Sequence, residues 1–209
     1  LADTPRASAA MLLTELSRRN IGVRLITGDH PVTARAVASE LGLAVTDDDV
    51  MTGTAWEMLT AQERADAVAR FRVFARMTPE HKIDVVQTLE RAGLVTAMVG
   101  DGANDAAAIR AATVGVGVVA RGSDPARSAA DVMLLDGRIE ALLDAIDEGH
   151  QLWRRVHSAV SVLLGGNAGE IAFALITTML TGDSALNTRQ MLLVNLLTDA
   201  LPAAALAVS

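Results

Sequence analysis

Three short segments of this chain carry hydroxyl, cationic and carboxylate side chains at spacings that suit phosphate chemistry. Thr27-Gly28-Asp29 sets a hydroxyl and a glycine in a tight turn just before Pro31, where backbone N–H groups and the Thr27 oxygen can face phosphate oxygens. Taken alone, such a turn is commonplace. Arg76-Met77-Thr78-Pro79-Glu80-His81-Lys82 puts a lysine in the first turn of a helix that Thr78 caps and Pro79 opens. A helix dipole disfavours a cation at that end, so Lys82 calls for an anionic partner, either a phosphoryl group or a carboxylate. It is the single lysine beside seventeen arginines. A compact ammonium suits one oxygen where the guanidinium fork would demand two, and Arg76 can serve a nucleotide phosphate. In Gly100-Asp101-Gly102-Ala103-Asn104-Asp105, two carboxylates stand four residues apart. Asp101 and Asp105 repel each other if left empty, and Mg²⁺ held by one or two carboxylates plus phosphate oxygens fits such a pair.

A second group lies in the apolar C-terminal stretch. Asn167 and Glu170, three apart, share a helix face, and Gly165, Gly166 and Gly169 let a neighbouring helix approach closely. Asn195, Thr198 and Asp199 share another face, while Pro202 cannot donate to the Thr198 carbonyl and so frees an oxygen beside them. Ionisable side chains inside apolar spans are costly and mark ion pathways. These five oxygen-bearing side chains suit a hard cation of the Ca²⁺ type. The alternative is hydrogen bonding between helices, with Asn and Thr meeting protonated acids and no ion path.

The first group needs a scaffold that brings loops to one edge. Up to about Gly137, short β-branched runs alternate with amphipathic stretches, the pattern of a parallel sheet covered by helices. Helices are expected over 5–19, 31–41, 79–92 and 106–112, and strands over 21–26, 72–75, 94–99, 114–119 and 132–135. The segment 45–66 reads as loop and short helix. Ile83, Val86 and Leu89 are the apolar stripe of the 79–92 helix. All three motifs then follow strands, where open α/β sheets place their ligand sites.

The second group needs a different solvent. After a helical stretch over 138–157, residues 158–180 are long and apolar enough to span a bilayer, and 191–208 forms a second span beyond the polar connector 181–190. Arg154 and Arg155 put the start of the first span on the cytoplasmic side, with Trp153 at the interface, so the α/β region is cytosolic. A soluble domain with two buried apolar helices is the competing reading.

Composition narrows the field. The net charge of -7 excludes a nucleic-acid surface, and the absence of cysteine excludes disulfides, thiol nucleophiles and Cys-based metal sites. The start at Leu1 without a leader suggests a piece of something longer. Heavy use of Arg and Ala hints at a GC-rich bacterial source.

In order and spacing, TGDH, ARMTPEHK and VGDGANDAAAI resemble the phosphorylation-domain motifs of P-type cation-transporting ATPases, a branch of the haloacid dehalogenase-like superfamily. Asp3-Thr4-Pro5-Arg6 is similar to the family's D-P-P-R, with Thr for the first Pro. GGNAGEIAF and LLVNLLTDALPAAAL resemble the fifth and sixth membrane helices of its calcium-pump-like members. The resemblance implies a Rossmann-like α/β domain over 1–137, a stalk helix and a transmembrane hairpin. It further implies that Thr27 orients a phosphoryl group, Lys82 neutralises it, Asp101 binds Mg²⁺ and Asp105 supports that site. Gly28, Asp29, Arg76 and Asn104 would contact ATP. Asn167, Glu170, Asn195, Thr198 and Asp199 would hold the transported cation, Ca²⁺ ahead of Mn²⁺, Na⁺ or K⁺.

One departure matters. The family's phosphorylated aspartate lies in D-K-T-G-T, which does not occur here. The expectation is a C-terminal part of a multi-pass pump in a bacterial plasma membrane, inactive without the rest of the polypeptide and with an incomplete sheet. A soluble haloacid dehalogenase-like phosphatase and a truncated, non-catalytic membrane partner are the alternatives.

Overall fold

The computed structural model of the chain describes residues 7–118, 124–135, 138–183, 186–187 and 189–198. The D-T-P-R segment, Asp199 and Pro202 lie outside them. By its contacts the chain divides into two units, Leu1–Asp144 and Ala145–Ser209.

In the first unit the elements run α1 (Ala7–Arg18), β1 (Leu25–Ile26), α2 (Pro31–Glu40), β2 (Val50–Thr52), α3 (Gly53–Glu57), α4 (Ala61–Arg70), β3 (Val73–Ala75), α5 (Pro79–Arg91), β4 (Ala97–Gly100), α6 (Ala106–Ala111), β5 (Val114–Val118), α7 (Asp124–Ala129) and β6 (Val132–Leu134). Every strand pairing is parallel, as expected. The strands form two three-stranded sheets, in the orders β1-β3-β2 and β4-β5-β6. β1 and β4 are therefore edge strands.

Central strand β3 is buried on both faces. Phe74 packs with Met51, Trp56, Val68, Met77, Val85 and Leu89, while Val73 and Ala75 pack with Ala34 and Ala38 of α2. A parallel strand covered by helices on both sides requires such an all-apolar run. Thr78 caps α5, accepting from the His81 N–H at 3.3 Å, and Gly93 (φ 81°) lies just past its end. On α5 the buried residues are Val85, Val86, Thr88 and Leu89, whereas Ile83 is only half-buried. The segment 45–66 holds β2, α3 and the start of α4 rather than mostly loop. A three-residue strand is too short to show a period.

In the second sheet, β5 is the run Val-Gly-Val-Gly-Val. A Cβ at Gly115 would lie 2.7 Å from both Ile109 Cγ2 and the Ile109 carbonyl oxygen, and one at Gly117 would lie 3.0 Å from Ala130 Cβ. The missing side chains let α6 and α7 lie directly on the strand. Beside it Glu90 accepts from the Thr96 and Thr113 hydroxyls, each at 2.7 Å, and joins the end of α5 to the start of this sheet. The Thr113 hydroxyl, then that of Thr96, holds the Glu90 carboxyl below its ordinary value of 4.5.

The stretches 138–157 and 158–180 form one helix, α8, that spans Ala141–Thr181, 41 residues, all but its first four in the second unit. It is long and apolar enough to cross a membrane, and its apolar surface is unburied. Two of its threonines bond back within the helix, Thr177 donating to the Phe173 carbonyl and Thr178 to that of Ala174, each at 2.8 Å. Gly182 (φ 77°) lies just past the end of α8. Asn187 and Gln190 exchange side-chain and backbone bonds at 3.0 Å, a capping box that opens a helix over 189–198.

Two outcomes follow. Gly115→Ala destabilises the first unit by about 1–3 kcal/mol, because Ile109 and its backbone must give way. The urea midpoint falls, and the Gly117→Ala midpoint falls less. For Glu90, a folded pKa held below the unfolded one means a contribution that is present above the ordinary carboxylate range and lost as pH falls through the folded value. Thr113→Val and Thr96→Val flatten that acid limb in stability measured against pH.

Candidate functional site

Two of the loops are tied together by their backbones. The Thr27 N–H donates to the Phe74 carbonyl, the Met77 N–H to the Thr27 carbonyl and the Arg76 N–H to the Asp29 carbonyl, each at 2.9 Å. The turn after β1 and the turn after β3 therefore form a single layer. Within it the Thr27 hydroxyl donates to Asp29 Oδ2 at 2.9 Å and accepts from the Asp29 N–H at 3.1 Å, which fixes its direction. Arg76 adopts a left-handed backbone (φ 53°) and its side chain is exposed.

A side chain joins this layer to the third loop. Lys82 Nζ donates to Asp105 Oδ1 at 2.5 Å, with the two side chains 12% and 16% exposed. The anion that Lys82 calls for is thus a carboxylate in this state. The repulsion expected between Asp101 and Asp105 does not arise, because the ammonium neutralises Asp105. Asp105 also stands at the N-cap position of α6, without a side-chain capping bond, where the dipole favours a negative charge.

Gly100, which the reading of the motif passed over, makes this possible. A Cβ there would lie 2.7 Å from Asp105 Cβ and 3.0 Å from its Oδ2, so only glycine lets the carboxylate fold back toward β4. Its signal was present in the Gly-Asp-Gly run, but the reason lies in three dimensions. Asp101 and Asn104 are exposed on the same loop. Among the described residues Asp101 has no ion-pair partner, and no cluster of three or more His, Cys, Asp or Glu side chains forms.

In the second unit Glu170, Asn195 and Thr198 come together. The Thr198 hydroxyl lies 3.1 Å from Glu170 Oε1 and 2.9 Å from the Val194 carbonyl, two acceptors that share its one proton. The Asn195 amide, with its nitrogen turned inward, donates to Oε1 at 3.2 Å and also to Oε2. A groove of about 360 Å³ opens beside them, lined by Gly166, Gly169, Phe173 and Val194 among others. Asn167 is exposed on the same helix and makes no hydrogen bond to these three. Asp199 lies outside the described residues.

Residues 1–113 match the model of a haloacid dehalogenase-like hydrolase. The chain belongs to that family. Along its whole length this haloacid dehalogenase-like chain is also similar to P-type pumps, which bears out the resemblance carried by its motifs. It is 52% identical over 210 residues to a "Probable cation-transporting ATPase I" of Mycobacterium tuberculosis, covering all of this chain and 13% of that protein. To "Calcium-transporting ATPase 1" of Bacillus cereus it is 38% identical over 208 residues, covering 100% of this chain and 23% of the relative. A solved zinc-transporting PIB-type ATPase in its E2.Pi state superposes with a TM-score of 0.71 at 26% identity, over 98% of this chain and 28% of that one. The chain thus spans less than a quarter of each of the two curated relatives.

If the Lys82–Asp105 pair is the link between the loops, Asp105→Ala leaves a nearly buried ammonium unpaired and destabilises the unit by on the order of 3 kcal/mol. Replacing both, Lys82→Met with Asp105→Leu, returns most of that stability. Denaturant unfolding of the three chains reads the difference.

Proposed function

We propose that these residues are the part of an ATP-driven cation pump that carries its phosphoryl-transfer loops and two of its membrane helices. The observation that carries this reading is the presence in one chain of two separate polar constellations. One is Lys82 with Asp105 among strand-end loops, and the other is Glu170 with Asn195 and Thr198 on an apolar helix. A soluble phosphatase has use for the first alone.

In this reading Lys82 neutralises the transferring phosphoryl group and Thr27 orients it, while Gly28, Asp29, Arg76 and Asn104 face ATP. Catalysis of this kind is mostly positioning and charge stabilisation. Asp101 and the second oxygen of Asp105 suit Mg²⁺, a hard cation that keeps several waters and takes one or two carboxylates. When bound it would supply charge neutralisation to the phosphate oxygens. An anion that enters must compete with Asp105 for Lys82, so the pair holds the ammonium in place before any ligand arrives.

The aspartate that would be phosphorylated is expected outside this stretch. Two open edges support that expectation. β1 carries the Thr27 loop and β4 the Asp101 loop, and among the described residues each lacks a partner on one side. Leu94 and Val95, just before β4, are 51% and 81% exposed. A further parallel strand between β1 and β4 would join the sheets, cover this apolar edge and bring its own C-terminal end between Thr27 and Asp101.

For the cation, Glu170, Asn195 and Thr198 with Asn167 and Asp199 offer oxygen only, which favours Ca²⁺ and matches the calcium-transporting relatives. α8 would lie in lipid, with Trp153 and Arg154 at its cytosolic interface.

The test is phosphoenzyme formation from radiolabelled ATP by the complete polypeptide in membranes, titrated with Ca²⁺, Mn²⁺, Mg²⁺, Na⁺ and K⁺ one at a time. A hydroxylamine-sensitive phosphoenzyme that depends on one of them is the expected result, with Asp101→Asn abolishing it. Glu170→Gln and Asp199→Asn keep ATP binding and lose the cation dependence. Phosphorylation that stays cation-dependent in both would remove the ion-site assignment, and no phosphoenzyme under any ion would overturn the pump reading in favour of a phosphatase.

A further inference from the structure

The helical turn that carries Lys82 is seated on α3 by contacts that the motif residues do not themselves provide. Gly53, the first residue of α3, is buried, and a Cβ on it would overlap the Arg76 carbonyl oxygen and lie 3.0 Å from His81 Nδ1 and 3.2 Å from its Cε1. Arg76 stands in the left-handed region at φ 53°, which aims that carbonyl at α3. Two more residues of the same short helix hold the same turn. Trp56 Nε1 donates to Asp84 Oδ2 at 2.9 Å, and Glu57 Oε1 lies 2.9 Å from His81 Nε2.

His81 is bound on both nitrogens. Its Nδ1 accepts from the Thr78 N–H at 3.3 Å, so in the neutral ring the proton sits on Nε2 and points to Glu57. The residue next to Lys82 is thereby clamped between the cap of α5 and α3. An α5 start that is free to tilt would not deliver a flexible four-carbon side chain to one oxygen of Asp105.

We propose that Gly53 is a positioning residue for Lys82: its missing side chain lets α3 seat against the Arg76 carbonyl and the His81 ring, and this fixes the turn of α5 from which Lys82 reaches Asp105. The consequence for phosphoryl transfer rests on the pump reading, but the placement of Lys82 does not.

The single lysine makes the placement directly measurable. Selective isotopic labelling of lysine in the 209-residue chain gives one side-chain NMR signal. Asp105→Asn moves that signal, and Gly53→Ala is expected to move it in the same direction, while Thr54→Ala at the exposed neighbour leaves it in place. In the Asp105→Asn background, Gly53→Ala adds nothing, because both act through one contact. If Gly53→Ala does not fold, Glu57→Ala removes only the His81 contact and produces a smaller shift of the same sign. A lysine signal unmoved by the folded variant overturns the proposal.

In the complete polypeptide, Gly53→Ala lowers the rate of phosphoenzyme formation at saturating ATP by roughly tenfold or more and leaves the KM for ATP nearly unchanged. A variant that lowers only the amount of folded pump, with its rate per molecule intact, also overturns it. A wild-type polypeptide that forms no phosphoenzyme would remove the pump reading, and the lysine signal would then decide the placement alone.

Discussion

The ion pair between Lys82 and Asp105 is the constraint on which the arrangement of loops depends. Each member explains the position of the other. Lys82 stands in the first turn of α5, where the helix dipole opposes a cation, and Asp105 stands at the start of α6, where the dipole favours an anion. The unfavourable placement is offset by the favourable one only when the two meet. Gly100 lets Asp105 fold back far enough for that, and the contacts of α3 hold α5 at the matching height. The pair also joins the two sheets, whose strands share no ladder among the described residues. Backbone bonds alone therefore do not define the site.

A site built this way is rigid where it binds and adjustable in charge. The Thr27 and Arg76 turns are laced by backbone hydrogen bonds and lie over β3, the strand most deeply packed in the unit. The Lys82 ammonium, by contrast, is held by one oxygen of a carboxylate that has another oxygen to offer. Under the proposed pump reading, a phosphate would draw Lys82 from Asp105 and a cation on Asp105 would weaken the pair further, so anion and cation would favour each other's arrival.

Much of this was legible in the residues and some was not, for physical reasons. Chemistry-bearing side chains at the ends of β-branched runs disclosed the three loops, because residue type and strand pattern are local properties. The capping of α5 by Thr78 was equally local. The partner of Lys82 stayed open between phosphoryl group and carboxylate, since Asp105 lies 23 residues away and only the packing of α5 on α6 brings it near. In the polar stretch a short helix was expected without bounds, and β2 was invisible, because three strand residues are stabilised by what they touch. Gly53 and Gly100 illustrate the same limit. A glycine needed for close approach looks in sequence like a glycine needed for a turn.

The second unit poses the question of what satisfies a carboxylate on an apolar helix. Glu170 sits on a helix whose hydroxyls bond back to their own carbonyls, so its neighbourhood spares few donors. Two face it from the segment opposite, the Asn195 amide and the Thr198 hydroxyl, the latter shared with the Val194 carbonyl. Both kinds of group are ambidextrous. A hydroxyl that donates to a bare carboxylate has lone pairs for a cation, and an amide that offers its nitrogen to Glu170 offers its oxygen after half a turn about one side-chain bond. Under the proposed pump reading, the same side chains would satisfy the carboxylate in the absence of an ion and contribute oxygens to a cation in its presence. An all-carboxylate cluster would leave uncompensated charge in the empty state, and an all-amide one would attract no cation. A carboxylate whose described partners are reversible donors avoids both penalties, which is why hydrogen bonding between the helices and ion binding need not be rival readings of these residues.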